Sequence, residues 1–141
     1  MIAAFLINSA LVTLAVLVHY EALYRLSVLI PKMTIRYRFR VVIGLFGSIC
    51  AHVIEIWLFA FGYYFMHRAQ EFGRLRGNFD GSILDSVYFS FTSYTTLGFG
   101  DIEPFGPIRF LAGLEALTGL VLITWTASFM FFEMQKFWDR H

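Results

Sequence analysis

Three apolar stretches, each long enough to cross a lipid bilayer, limit what this chain can become. A spanning helix needs about 20 mostly apolar residues. The stretches run from about Ile2 to Leu29, from Val41 to Phe65 and from Pro107 to Phe132. Charged residues are only 15% of the chain and gather between these blocks, the pattern of a multi-pass membrane protein. Backbone in hydrocarbon has to satisfy its own hydrogen bonds, so each span is expected as a helix. Pro31 ends the first, because proline lacks an amide donor and disfavours helix at the residue before it. Pro107 suits the first turn of the third. No basic stretch precedes the first apolar run, so a retained helix is expected there rather than a cleaved leader.

The segment between the second and third spans breaks this pattern. Residues 67–81 are polar and punctuated by glycine, which reads as a surface loop. Residues 82–94 are apolar and aromatic but too short to span, which reads as a re-entrant helix. Thr95-Thr96-Leu97-Gly98-Phe99-Gly100-Asp101 follows. Its alternate glycines let the backbone enter conformations closed to other residues. Irregular backbone at membrane depth persists only where it is buried in protein or lines water. A run of alternating conformations can turn successive carbonyl oxygens to one side, and a ring of such oxygens replaces the water shell of a bare cation.

The run Thr96-Leu97-Gly98-Phe99-Gly100-Asp101 resembles the selectivity filter of the tetrameric potassium channels, whose usual form is Thr-Val-Gly-Tyr-Gly-Asp. The preceding Tyr88-Phe89-Ser90-Phe91-Thr92-Ser93-Tyr94-Thr95 is similar to that family's pore helix. Phe99 in place of Tyr is similar to two-pore-domain channels, and Leu97 stands where Val or Ile is commoner. The resemblance covers roughly residues 41–132 and leaves the first 40 outside it. It implies an all-α membrane protein: three transmembrane helices, a re-entrant pore helix and a selectivity filter, assembled as a fourfold homotetramer. Its parts would be an outer helix at 41–65, a pore helix at 82–94, the filter at 95–101 and an inner helix at 107–132. Residues 1–30 would add one helix, 31–40 a basic cytoplasmic loop and 133–141 a short cytoplasmic tail. With no internal repeat, one chain supplies one pore loop, so three identical subunits are its expected partners, together with membrane lipid.

The implied activity is passive potassium conduction, with neither catalysis nor a cofactor. The expected potassium ligands are the carbonyls of Thr96, Leu97, Gly98 and Phe99 and the Thr96 hydroxyl, with Gly100 completing the filter. The Leu97 and Phe99 side chains are expected to point away and pack against the pore helix. Asp101 would sit at the outer mouth, either as a ring that attracts cations and braces the filter or as a solvated loop acid. In the family an arginine lies ten residues before a hinge glycine on the inner helix, and Arg109 and Gly119 match that spacing. Gly119, Ile123, Thr126 and Met130 then share a helical face toward the inner pore. Gly119 can serve either bending or tight packing.

Lys32, Arg36, Arg38 and Arg40 have no acid among them, which places residues 31–40 in the cytoplasm. The N-terminus is then outside and the C-terminus inside, in a plasma or inner membrane. A net charge of +1 gives no reason to expect nucleic acid. The lone Cys50 excludes an internal disulfide.

His52, Glu55 and Glu115 lie within spans, where ionisable groups are costly. At ~1.5 Å per residue, Glu55 and Glu115 fall at similar depth beside the expected pore helix. Glu115 is expected to accept hydrogen bonds from Thr92, Ser93 or Tyr94. The three side chains either brace the filter and sense protons or form a neutral network that fixes packing. His19 is grouped with Glu21 and Arg25 at the inner end of the first span, where the last two can pair. Two other functions stay open: a non-selective monovalent cation channel, and a membrane metalloprotein using His52, Glu55 and Glu115.

Overall fold

The fold is given by a computed structural model that describes residues 2–138, with side chains to residue 136. Residues 139–141 of the expected tail lie outside the described residues. Helix α1 covers Ile2–Leu29, α2 Tyr37–Ala69, α3 Ile83–Tyr94 and α4 Ile108–Trp138. Two short strands, β1 at Arg74–Gly77 and β2 at Ile102–Phe105, flank α3 in sequence. Three helical stretches are long and apolar enough to cross a membrane: Ile2–Lys32, Tyr37–Ala69 and Ile108–Lys136.

The helices overrun the apolar windows. Hydropathy marks the part suited to lipid, and nothing between Tyr37 and Val41 stops a helix. Arg38 and Arg40 therefore lie in the first turns of α2, and Glu133 and Lys136 lie in α4. Pro31 sits in a single 3-10 turn, Ile30–Lys32, after α1. The Arg40 guanidinium then ties down the linker by donating to the carbonyls of Met33 and Ile35.

α1 packs on both α2 and α4, and α3 sits between α2 and α4. The core forms around α3: Phe59, Ala60, Tyr63 and Met66 from α2 meet Val87 and Phe89 from α3 and Ile108, Leu111 and Leu122 from α4. Small residues bring α1 close, as at membrane helix contacts generally. A Cβ at Gly47 would lie 2.7 Å from Leu26, and one at Gly62 would lie 2.6 Å from Leu11. Much of the outer surface is apolar, including Phe5, Leu6, Phe46, Phe65, Phe110 and Phe132. In water such a surface would drive association, whereas in lipid it is already solvated.

The expected all-α chain and plain polar loop need one correction. β1 and β2 pair antiparallel, with Arg74 opposite Phe105 and Gly77 opposite Ile102. The ribbon joins the residues after α2 to those after the Thr95–Asp101 segment. Leu75 and Ile102 bury their side chains under it, and His67 Nδ1 accepts from the Leu75 amide at 3.1 Å. The strands were hard to see because each is four residues long and separated from its partner by α3 and the glycine segment.

Ser82 caps α3, accepting from the Asp85 amide at 3.1 Å, as expected of a Ser N-cap. Asp80 accepts from the Ser82 amide at 2.7 Å, and hydrogen bonding to Ser82 holds its carboxyl below the usual range.

Two outcomes follow. Gly77 has φ +98°, and a Cβ there would lie 2.2 Å from the Asp101 carbonyl. Gly81 has φ +84° with open space around it. Gly81→Ala is expected to cost only the left-handed backbone penalty of ~1–2 kcal/mol, and Gly77→Ala clearly more, measured by thermal unfolding in detergent. The hydrogen bond from the Ser82 amide to Asp80 is fully present above the unfolded aspartate pKa of about 3.9. It is lost as pH falls below that through the depressed folded value. Protection of the Ser82 amide, its exchange rate relative to an unstructured amide at the same pH, should therefore hold down to about pH 4 and fall only in stronger acid.

Candidate functional site

The Thr95–Asp101 segment starts where α3 stops. Thr95 closes the helix with its amide bonded back to the Phe91 carbonyl at 3.1 Å. The Thr96 amide donates to Ser93 O at 3.0 Å, and the Gly98 amide to Thr92 O at 3.0 Å. Thr96 has φ +60°, Gly98 +52° and Gly100 +79°, while Leu97 and Phe99 between them stay at negative φ. A threonine in the left-handed region is strained by roughly 1–3 kcal/mol, and such strain clusters at functional sites. Among the described residues, no hydrogen bond reaches the carbonyl oxygens of Thr96, Leu97, Gly98, Phe99 or Gly100. The amides of this stretch are anchored at two points and its oxygens are uncommitted.

At the far end, the Asp101 carbonyl accepts from the Asn78 amide at 2.8 Å. The Tyr88 hydroxyl lies close enough to the Asp101 carboxylate for it to push the phenol pKa upward. Asp101 is thereby tied to the loop after α2 and stands beside α3.

Leu97 and Phe99 are 64% and 65% exposed within the chain, so they do not pack against their own α3. The inward face of α3 is already taken by α2 and α4. Its outward face, with Leu84, Tyr88 and Phe91 at helical spacing, is exposed as well.

Behind the segment, α3 meets two buried polar clusters. In one, Glu115 of α4 accepts from Tyr63 of α2 and from Ser90 of α3, the latter at 2.5 Å. Ser90 also lies 2.8 Å from the Ile56 carbonyl. In the other, Tyr94 donates to Glu55 of α2. Glu55 is fully buried and also meets His19 Nδ1 at 2.9 Å and His52 Nδ1 at 3.2 Å. The hydroxyl of Thr126 on α4 lies 2.9 Å from His52 Nε2 and 3.3 Å from His19 Nε2.

His52 and Glu55 thus come together as their spacing suggests, but Glu115 does not join them. It is bonded to Ser90 and Tyr63 rather than to Thr92, Ser93 or Tyr94. The cause is phase along α3: Ser90 faces Glu115 one turn before Tyr94, which reaches Glu55 instead. A metal set of His52, Glu55 and Glu115 is therefore not assembled. Gly119 packs directly on α3, since a Cβ there would lie 2.2 Å from Tyr94 O. Thr126 is buried against the histidines, Met130 reaches α2 at Gly44, and Ile123 is exposed. The helical face expected to line an inner pore is mostly packed within the chain.

Sequence reasoning missed His19, Tyr63 and Ser90. Glu21 and Arg25 do pair, at 2.6 Å on the surface, but His19 points the other way and is fully buried. The buried stripe of α1, Ala4, Asn8, Ala15, His19 and Leu23, repeats at four and seven residues. That small-and-polar periodicity was the available signal.

A family model described as ion channel matches residues 51–136, more than half of the chain. The chain belongs to the ion channel family. No curated protein and no solved structure matches it. The matched region of this channel takes in most of α2, all of α3, the glycine segment and the apolar length of α4, and leaves α1 outside. With its three apolar helices, the channel is an integral membrane protein.

Removing a donor from the buried Glu115 should be costly, because an unsatisfied buried group loses about 1–3 kcal/mol. Tyr63→Phe is expected to lower stability by that amount in thermal unfolding. In a Glu115→Leu background the same change should cost much less, since the carboxylate it served is gone.

Proposed function

We propose that the channel conducts potassium passively through a homotetrameric pore whose selectivity filter is Thr96–Gly100, without catalysis. The observation that carries this reading is the run of uncommitted carbonyl oxygens on a backbone whose φ alternates in sign. Bare backbone carbonyls away from water need partners, and a dehydrated cation is one. The ligands are the carbonyls of Thr96, Leu97, Gly98 and Phe99 with the Thr96 hydroxyl. Successive sites hold ions closely enough that each helps to expel the next.

One chain contributes one such strand, so four are needed to surround an ion. The exposed side chains support the assembly. Leu97 and Phe99 stand uncovered beside the glycine segment, and Leu84, Tyr88 and Phe91 stand uncovered on α3. In a closed ring the first set of one subunit covers the second set of the next, a heterologous contact that closes on itself. α3 is then a re-entrant pore helix whose C-terminal partial negative charge at Tyr94 points toward the cavity. Ile123 is the member of the expected α4 set left free to line that cavity, and Asp101 adds negative charge at the outer mouth. The basic run of Lys32, Arg36, Arg38 and Arg40 favours a cytoplasmic α1–α2 linker. The filter then faces outward, in a plasma or inner membrane.

In liposomes containing the purified channel, reversal potentials under potassium and sodium gradients should give a permeability ratio of about tenfold or more for potassium. Gly98→Ala should abolish the current, because φ +52° is a conformation that alanine resists. Equal permeability to the two ions would favour the non-selective channel and overturn the potassium assignment.

A further inference from the structure

The cluster of His19, His52, Glu55, Tyr94 and Thr126 has more polar contacts than hydrogens to fill them. Six contacts join the five side chains. His19 Nδ1 meets Glu55 at 2.9 Å and His52 Nδ1 meets it at 3.2 Å. His52 Nδ1 also meets the Tyr94 hydroxyl at 2.8 Å, and that hydroxyl bonds to Glu55. Both Nε2 atoms meet the Thr126 hydroxyl, at 2.9 and 3.3 Å. With neutral imidazoles and an ionised carboxylate there are four hydrogens, one on each ring and one on each hydroxyl. If both rings carry theirs on Nδ1, two Nε2 lone pairs compete for the one Thr126 hydrogen. If both carry it on Nε2, Thr126 Oγ1 accepts from both rings. Two bare Nδ1 lone pairs then face the Glu55 carboxylate, and with one ring in each tautomer one such lone pair still does.

One added positive charge removes the conflict, either a proton on one imidazole or a metal ion seated among those donors, and the donor spacing suits the metal ion. One ligand atom each from His19, His52 and Glu55 lies within 4.8 Å of the others. Donors around a tetrahedral zinc at about 2.0–2.2 Å are separated by roughly 3.3 Å, so small side-chain adjustments close the set. Two imidazoles and one carboxylate suit zinc-class transition metals better than calcium or magnesium. The set also has the three-ligand form that leaves a fourth position open, and the Tyr94 hydroxyl stands beside it. The Nε2–H contacts to Thr126 supply the outer hydrogen bonds that metal-bound histidines usually make. His19 and Glu55 side chains are fully buried, while His52 retains 16% exposure and provides a way in.

We propose that His19, His52 and Glu55 form a regulatory binding site for a divalent transition metal of the zinc class, with Thr126 as the positioning residue. The site joins α1 to α2 behind the end of α3. Tyr94 immediately precedes Thr95 and Thr96, so an ion held here restrains the root of the conducting segment. The site draws one ligand from α1, outside the family match, which gives that helix a role.

Equilibrium zinc binding to the purified, metal-stripped channel in detergent tests this without measuring current, so its outcome is separate from that of potassium selectivity. One tight zinc per chain is expected. His19→Gln, His52→Gln and Glu55→Gln should each weaken it at least tenfold, and Thr126→Val about tenfold. His67→Gln, His141→Ala and Cys50→Ser should leave it unchanged. Zinc should also raise the thermal midpoint of the wild type and not that of His19→Gln. Thr126→Val, which keeps all three ligands, serves if a ligand variant does not fold. Binding that survives His19→Gln in folded protein, or that disappears with Cys50→Ser, His67→Gln or His141→Ala, would overturn the assignment, as would absence of tight binding to the wild type.

Discussion

Non-helical backbone away from water has to be held by something other than its own ladder, and in this chain α3 does the holding. The last carbonyls of α3 take the amides of Thr95, Thr96 and Gly98. Those bonds set where the glycine segment begins and leave its oxygens unpaired. If α3 shifted by one residue, each of these anchors would be lost together. The arrangement of the outer helices follows from keeping that short helix in place.

α3 is too short to be stable alone, since isolated helices of this length are marginal even with strong helix formers. Its seat is built from two kinds of contact. Apolar packing by Val87 and Phe89 against Phe59, Tyr63 and Leu111 supplies bulk burial. The polar side chains Ser90 and Tyr94 supply direction, each meeting a buried glutamate from a different helix. Apolar contacts tolerate rotation of a helix, whereas two hydrogen bonds one turn apart do not. Gly119 completes the seat by letting α4 approach the Tyr94 carbonyl. Of the two roles open to Gly119, bending or tight packing, the contact with Tyr94 supplies the packing one.

The β1–β2 ribbon does for the C-terminal end of the glycine segment what α3 does for its N-terminal end. It links the residues after α2 to those after Gly100, and the Asp101 carbonyl accepts from Asn78 across it. The strained Thr96–Gly100 stretch is then clamped between two regular elements. Strained backbone persists only where its surroundings over-determine it, and here both ends are fixed while the middle stays free to meet a ligand.

Composition and local pattern were enough to determine the three long helices, the short fourth one and the departure from helix at Thr95–Asp101. Bilayer length, proline placement and alternate glycines are local properties that need no knowledge of neighbours. The pairing of His52 with Glu55 was equally legible, because three residues apart on a helix means one face. The positions of His19, Tyr63 and Ser90 were not, nor was the separation of Glu115 from Glu55. Those depend on the rotation of α1, α3 and α4 about their own axes, which is set by packing between helices far apart in the chain. Apart from the small-and-polar stripe of α1, an apolar span looks the same from the sequence whichever side it turns to lipid. Only the folded structure decided which of its few polar groups turn inward, because only there do His19, Glu55, Tyr63, Ser90 and Glu115 find the partners that offset their burial.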